Sequence, residues 1–74
     1  MKMNEVRQHL NQTVRFRDRR TGLEFKYIMT GVILRKRGSQ CYVEAELRDQ
    51  QHPSSVLIAS LQDVLAAEGG SYGS

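Results

Sequence analysis

Hydrophobic and polar residues alternate along two stretches in the first third of the chain. Apolar side chains occupy every second position in residues 13–18 and again in residues 23–27, which is the pattern of half-buried strands. The segment between them, residues 19–22, ends in a glycine, and glycine accepts the positive φ of a tight turn. This pattern predicts a first hairpin with three opposed pairs: Phe16 with Phe25, Val14 with Tyr27, and Arg17 with Glu24.

The alternation changes phase at Thr30-Gly31. The apolar positions are odd at Phe25 and Tyr27 but even at Val32 and Leu34. A straight strand would turn one of these two groups to solvent, whereas a bulge or sharp bend at the glycine keeps both on one face. A long strand that bends in its middle is how a small sheet curls into a barrel.

A second hairpin is predicted around Gly38-Ser39, which fits a two-residue turn with glycine at its first central position. The register that follows places three pairs on the inner side: Leu34 with Val43, Val32 with Ala45, and Thr30 with Leu47. It places three pairs on the outer side: Arg35 with Tyr42, Ile33 with Glu44, and Arg37 with Gln40. Cys41 falls on the inner side, so we expect a buried and unreactive thiol.

Short helices are predicted at both ends of the chain. Residues 3–10 carry one apolar stripe at helical spacing, with Asn4 as a candidate cap. Near the other end, residues 56–59 read as a short strand. Ser60 then begins a predicted helix that Gly69 ends. We expect one domain over residues 1–68 and a flexible tail at residues 69–74.

This order of elements resembles the small SH3-like barrels over residues 13–64. The resemblance implies a mainly β fold, a barrel of about five antiparallel strands with a short N-terminal helix and a short C-terminal helical turn. The peptide-binding SH3 domains of signalling proteins carry an aromatic-lined groove, and this chain has no tryptophan, so proline-rich peptide binding is not implied. The segments AELRD (45–49) and VLIASLQDV (56–64) are also similar to small uncharacterised proteins of bacterial phages and mobile elements.

The composition points to a small protein of the cytoplasm. A chain of 74 residues is long enough for one small domain. Its single cysteine cannot form an internal disulfide, and small secreted domains usually depend on disulfides. No apolar run approaches the length that spans a membrane, so we expect no membrane partner.

Enzymatic activity is not expected. The candidate nucleophiles and bases are scattered through the chain, and none forms a recognisable pair or a metal-site spacing; they are Cys41, Ser54, Ser55, His9 and His52. No phosphate-binding loop or dinucleotide fingerprint is present in the sequence. We therefore expect no catalytic residues, no metal, no cofactor and no small-molecule substrate.

The charges are segregated along the chain. Residues 1–37 hold ten Lys or Arg against three acids, a net +7, whereas residues 38–74 hold one Arg against five acids, a net −4. Basic side chains over a small barrel can neutralise phosphates, and an aromatic ring can stack on a base. The sequence thus predicts contact with DNA or RNA through eight residues: Arg15, Arg17, Arg19, Arg20, Lys26, Arg35, Arg37 and Tyr42.

Two other interpretations compete with this prediction. The arginines can simply pair with neighbouring acids, Arg17 with Glu24 and Arg35 with Glu44, as solvated surface pairs. Alternatively, the outer side of the second hairpin suits a protein partner or a second copy of the chain, because apolar residues rimmed by charges are typical of interfaces. The predicted residues of such a protein interface are Ile33, Tyr42, Glu44 and Glu46.

Overall fold

The computed structural model describes residues 1–67 and shows five antiparallel strands in one sheet. The mainly β class, the five strands and the short N-terminal helix are therefore confirmed. The elements in chain order are a 3-10 turn (Met3–Glu5), α1 (Val6–His9), β1 (Thr13–Arg17), β2 (Glu24–Arg37), β3 (Gln40–Arg48), β4 (Val56–Ser60), a second 3-10 turn (Leu61–Asp63) and β5 (Val64–Ala66). In the sheet the strands follow the spatial order β4-β3-β2-β1-β5.

The first hairpin joins β1 to β2 in the predicted register. The observed pairs include Phe16 with Phe25, Val14 with Tyr27, and Arg17 with Glu24. Gly22 adopts a φ of +75° in the turn, where a side chain would strain the backbone. The carboxylate of Asp18 accepts a hydrogen bond from the main-chain nitrogen of Arg20 at 2.9 Å.

The predicted bulge lies in β2, where the register with β3 shifts between Met29 and Gly31. Gly31 lies opposite Glu46, and Thr30 is the extra residue. The predicted opposition of Thr30 and Leu47 is wrong, because Met29 takes that place. Burying the larger apolar side chain gains more free energy than burying a hydroxyl. The other five pairs predicted for this hairpin are confirmed: Val32 with Ala45, Leu34 with Val43, Ile33 with Glu44, Arg35 with Tyr42, and Arg37 with Gln40.

A small apolar core holds the sheet and the terminal segments together. Within residues 1–67, no polar or charged residue is buried. The largest fully buried side chains are Met29, Leu47, Val14 and Val64, from four different strands. The remaining buried residues are Val6, Ala45, Ala59 and Leu61. Every lysine and arginine of this part of the chain is thus left at least partly open to solvent.

The β2–β3 hairpin extends beyond this core. Residues 34–42 are all exposed, and Leu34 keeps 72% of its surface accessible. Leu34 and Cys41 lie on the predicted side of their strands, but the expected burial of Cys41 is wrong because its thiol is exposed. The core is too small to cover the end of a 14-residue strand.

The C-terminal helix is reduced to a single 3-10 turn. Ser60 caps it as predicted, because its hydroxyl accepts a hydrogen bond from the nitrogen of Gln62 at 3.3 Å. The prediction that the helix continues beyond Asp63 is wrong, since Val64–Ala66 form β5 and pair with β1. The predicted stop at Gly69 and the predicted tail lie outside the described residues.

The N-terminal turn is closed differently from the prediction. Asn4 lies inside the first 3-10 turn, and Lys2 occupies the cap position. The carboxylate of Glu5 accepts a hydrogen bond from the main-chain nitrogen of Lys2 at 2.8 Å. This hydrogen bond satisfies a backbone donor that would otherwise lack a partner.

The sheet is not closed into a barrel. β4 and β5 lie at opposite ends of the strand order and do not pair with each other, so closure of the predicted barrel is wrong. Carbonyl oxygens of the edge strand β5 already accept hydrogen bonds from other groups. The carbonyl oxygen of Val64 accepts from the amino nitrogen of Met1, and that of Ala66 accepts from the Arg15 side chain at 2.9 Å.

Candidate nucleic-acid interface

The predicted basic residues of the first hairpin lie side by side on the outer face of the sheet. Arg15 in β1 is directly opposite Lys26 in β2, and Arg17 is opposite Glu24. Alternation along a strand puts these four side chains on the face away from Val14, which is fully buried. The three cations Arg15, Arg17 and Lys26 are here called the basic cluster.

Glu24 neutralises part of the positive charge of the basic cluster. Its carboxylate accepts hydrogen bonds from Arg15 Nη1 at 2.9 Å and from Arg17 Nε at 3.0 Å. The hydrogen bond from Arg17, together with the charge of Arg15, holds the pKa of the Glu24 carboxyl below its ordinary value, although desolvation acts in the opposite direction. The predicted pair of Arg17 and Glu24 is confirmed, and Arg15 joins it. Lys26 has no carboxylate partner within the described residues.

The Glu24 pair predicts a dependence of stability on pH. A carboxyl whose pKa is lower in the folded protein stabilises the fold above its unfolded pKa, near 4.5, and this contribution is lost as the pH falls through the folded value. We expect Glu24→Gln to lower the unfolding free energy at neutral pH, and the difference from the native chain to vanish in acid. Urea denaturation across this range measures it.

Direct titration of Glu24 by NMR provides the control. Arg17→Gln should raise the pKa of Glu24 towards its ordinary value, because it removes the largest cause of the shift. A pKa of Glu24 that is ordinary in the native chain and unchanged in this variant would contradict the interpretation.

The two arginines of the first turn have different partners. Arg19 Nε donates to Asp63 Oδ1 at 2.6 Å, and Arg19 Nη2 donates to Gln62 Oε1 at 3.2 Å. Arg19 therefore ties the β1–β2 turn to the second 3-10 turn, 44 residues further along the chain. Arg20 lies 3.6 Å from Asp18 and is 90% exposed. Arg20 is therefore less constrained by its partner than Arg19.

The remaining predicted residues lie at the far end of the β2–β3 hairpin. Arg35 Nε donates to Glu44 Oε1 at 2.8 Å, so this predicted pair is confirmed as well. Tyr42 is opposite Arg35 and 44% exposed. Arg37 is opposite Gln40, and the part of the chain that the structure describes gives it no carboxylate partner.

The predicted basic face is therefore divided in two. The basic cluster lies near the start of β2, whereas Arg35, Arg37 and Tyr42 lie at the far end of the β2–β3 hairpin. Arg35 lies nine positions after Lys26, which is about 30 Å along an extended strand. The bulge lies between the two groups. A single nucleotide cannot contact both groups, although a longer polyanion can.

Lys36 is a candidate that sequence reasoning missed. The alternation along the strand puts Lys36 on the inner side of the hairpin, opposite Cys41, yet Lys36 is exposed. The alternation of side chains along a strand shows which face of the sheet a residue lies on. It does not show whether other residues cover that face. The small number of apolar residues available for a core was the signal that this end would stay uncovered.

The residues of the alternative protein interface are only partly available. Glu44 is held by Arg35, and the Glu46 carboxylate accepts a hydrogen bond from the Thr30 hydroxyl at 2.7 Å. Ile33 is half-buried, and Tyr42 alone of the four is exposed. The larger apolar surface lies next to them on β4, where Val56 and Ile58 keep 44% and 40% of their surfaces accessible.

Within residues 1–67, no group of three or more metal-ligating side chains comes together. An open groove of about 620 Å³ runs between the N-terminal segment and β5, lined by residues that include His9, Arg15 and Val64. The lining of this groove holds no serine, threonine or cysteine. None of the helices in these residues is both long and apolar enough to span a membrane.

Comparisons of this chain with protein-family models, with curated proteins and with solved structures gave no match.

Proposed function

We propose that this chain is a non-catalytic binding module of the cytoplasm that contacts nucleic acid through its basic residues. The observation that carries the proposal is the placement of the positive charge. Six of the ten cations in residues 1–37 lie either on the outer face of β1 and β2 or at the exposed end of the β2–β3 hairpin. Phosphate contacts of this kind supply most of the affinity in sequence-independent binding. The buried core behind them consists of eight apolar residues.

The ion pairs described above are compatible with this proposal. Exposed pairs such as Arg17 with Glu24 contribute little to stability, so a phosphate can replace the carboxylate at little cost. Lys26 and Arg37 need no such exchange, because neither has a carboxylate within 4.0 Å among residues 1–67. These two residues are therefore the first to test.

The relationship to the SH3-like small barrels remains part of the proposal. It is supported by the consecutive antiparallel strands, the bulge in β2 and the 3-10 turn before β5. Membership among the small proteins of phages and mobile elements is proposed on the segments at residues 45–49 and 56–64 alone.

The proposal predicts salt-dependent binding that depends on charge position. We expect the logarithm of the affinity for a generic DNA or RNA to fall linearly with the logarithm of the salt concentration. Lys26→Gln combined with Arg37→Gln should weaken binding and lower that slope by about 2, one for each phosphate contact removed. Fluorescence anisotropy at several salt concentrations measures both quantities.

The matched control is Lys2→Gln combined with Arg7→Gln. This variant removes the same charge from two exposed residues of the N-terminal segment, outside the proposed interface, and should leave the affinity nearly unchanged. Equal losses in both double variants would show that net charge alone matters. An absence of binding at low salt, together with a dimeric mass in solution, would overturn nucleic-acid binding in favour of self-association.

Self-association is the second candidate, and one observation favours it. β4 lies at an edge of the sheet, and its sequence VLIAS contains no charged residue and no proline. Proteins normally protect an edge strand with such residues, because its unpaired backbone groups can bind another strand. A second copy of the chain could therefore pair through β4, with Ile58 and the neighbouring Glu46 at the contact.

A further inference from the structure

The far end of the β2–β3 hairpin forms an arm that projects from the body of the protein. The arm is defined as residues 34–42, all of which are exposed. Burial begins just behind it, since Val43 is half-buried and Ala45 is fully buried. The arm is a two-stranded ribbon closed by Gly38, whose φ of +60° is the kind that a tight hairpin turn requires.

The arm carries only positive charge. Its sequence LRKRGSQCY contains three consecutive cations and no acid. Arg35 is paired with Glu44, which lies just behind the arm. In the described part of the chain, neither Lys36 nor Arg37 has a carboxylate within 4.0 Å. The two cations nearest the turn are thus available for phosphate.

These cations point to opposite faces of the ribbon. Arg37 lies on the outer face with Arg35 and Tyr42, whereas Lys36 lies on the inner face opposite Cys41. A flat anionic surface can contact only one face of such a ribbon. A site with phosphates on both sides, such as a groove between two nucleic-acid backbones, can contact both faces at once.

We infer that the arm enters the major groove of B-form duplex DNA, an inference that rests on the proposed function and specifies its ligand. The four residues from Leu34 to Arg37 span about 13 Å, and the groove is about 8.5 Å deep and about 12 Å wide, enough to admit a two-stranded β-ribbon. The major groove of A-form RNA is too narrow for side chains to enter. The arm therefore selects duplex DNA over duplex RNA.

The test compares two double variants that remove the same charge. Lys36→Gln with Arg37→Gln removes the two unpaired cations of the arm, and Arg17→Gln with Lys26→Gln removes two of the three cations of the basic cluster. Binding to a duplex DNA, a duplex RNA and a single-stranded DNA of one sequence is followed by anisotropy at several salt concentrations. We expect the arm variant to lose about tenfold or more in affinity for duplex DNA and about 2 in salt slope. The basic-cluster variant should lose less, about 1 in salt slope for the contact at Lys26.

The possible failures of this inference and of the proposed function are distinguishable. Equal losses in the two variants, or tighter binding of single-stranded DNA or duplex RNA by the native chain, would overturn the arm inference and leave nucleic-acid binding intact. Failure of the native chain to bind any of the three ligands at low salt would overturn both. Because the substituted residues are all exposed, each variant should remain folded, and the arm variant should unfold at the temperature of the native chain. The Arg17→Gln variant should be slightly less stable, since it breaks the pair with Glu24. Thermal unfolding of each variant then shows that loss of binding is not loss of fold.

Discussion

Replacing Leu47 with alanine is expected to lower the free energy of unfolding by about 2–5 kcal/mol. Leu47 is fully buried near the middle of the sheet, opposite Met29 on one side and Leu57 on the other. Truncation there removes apolar contacts and leaves a cavity between three strands. A domain of this length has a total stability of about 4–11 kcal/mol, so a large share of it would be lost.

Leu34→Ala is the matched control for this prediction. It makes the same chemical change in the same sheet, but Leu34 is 72% exposed, so its truncation should change stability little. Urea denaturation of both variants with one common slope gives the comparison. Similar losses in the two variants would mean that the arm is packed against the body in solution, contrary to the exposure described above.

The second large effect is a difference in the free energy of unfolding between two single-residue deletions at the Thr30 bulge. Deleting Thr30 removes the extra residue and leaves Met29 opposite Leu47. Deleting Ile28 also removes the bulge if both flanking registers are kept, but Thr30 then takes the place of Met29 in the core. We expect the Ile28 deletion to be less stable than the Thr30 deletion by about 2–5 kcal/mol, the usual cost of losing a buried methionine side chain.

Comparison of the two deletions isolates the orientation of Met29. Both chains have the same length and both lose the bulge, so any effect of the bend itself is common to them. Denaturant titration gives the difference in unfolding free energy, and the exposure of Met29 follows from its rate of oxidation in each chain. Equal stabilities would show that the bulge moves along β2 and that the position of the extra residue is not fixed by the core.

Both hairpin registers were predictable because their signals are local. The period-two pattern gives the side on which each residue lies, and Gly22 and Gly38 fix where the chain reverses. The phase change at Thr30-Gly31 located the bulge for the same reason. It did not give the bulged residue itself, because that choice depends on which side chain gains more from contact with Leu47 in another strand.

The C-terminal end could not be predicted in the same way. Residues 60–65 have apolar residues at helical spacing, and Ser60 does cap a turn. The chain leaves the helix after Asp63 because β1 offers a partner about 50 residues earlier in the sequence, and pairing Val64 with Phe16 satisfies backbone groups of both strands. The sequence near residue 64 does not show that one edge of β1 is available for pairing.

The candidate site shows the same division between local and distant information. The pairs Arg17 with Glu24 and Arg35 with Glu44 follow from register alone and are confirmed. The clamp of Arg19 on Asp63 joins segments that only the fold brings together. The exposure of the arm depends on the size of the core and not on the alternation of its own residues.

The two edges of the sheet differ in a way that limits how copies of this protein can assemble. Two of the three carbonyl oxygens of β5 already hold donors from Met1 and Arg15, whereas within residues 1–67 no donor from outside the sheet reaches the backbone of residues 56–59 in β4. A fibre grows by strand addition only if each molecule has two sheet edges that can pair with a further strand. A molecule with one such edge can form a closed dimer, and assembly then stops. An unprotected β4 is therefore tolerable at concentrations where a sheet with two unprotected edges would precipitate.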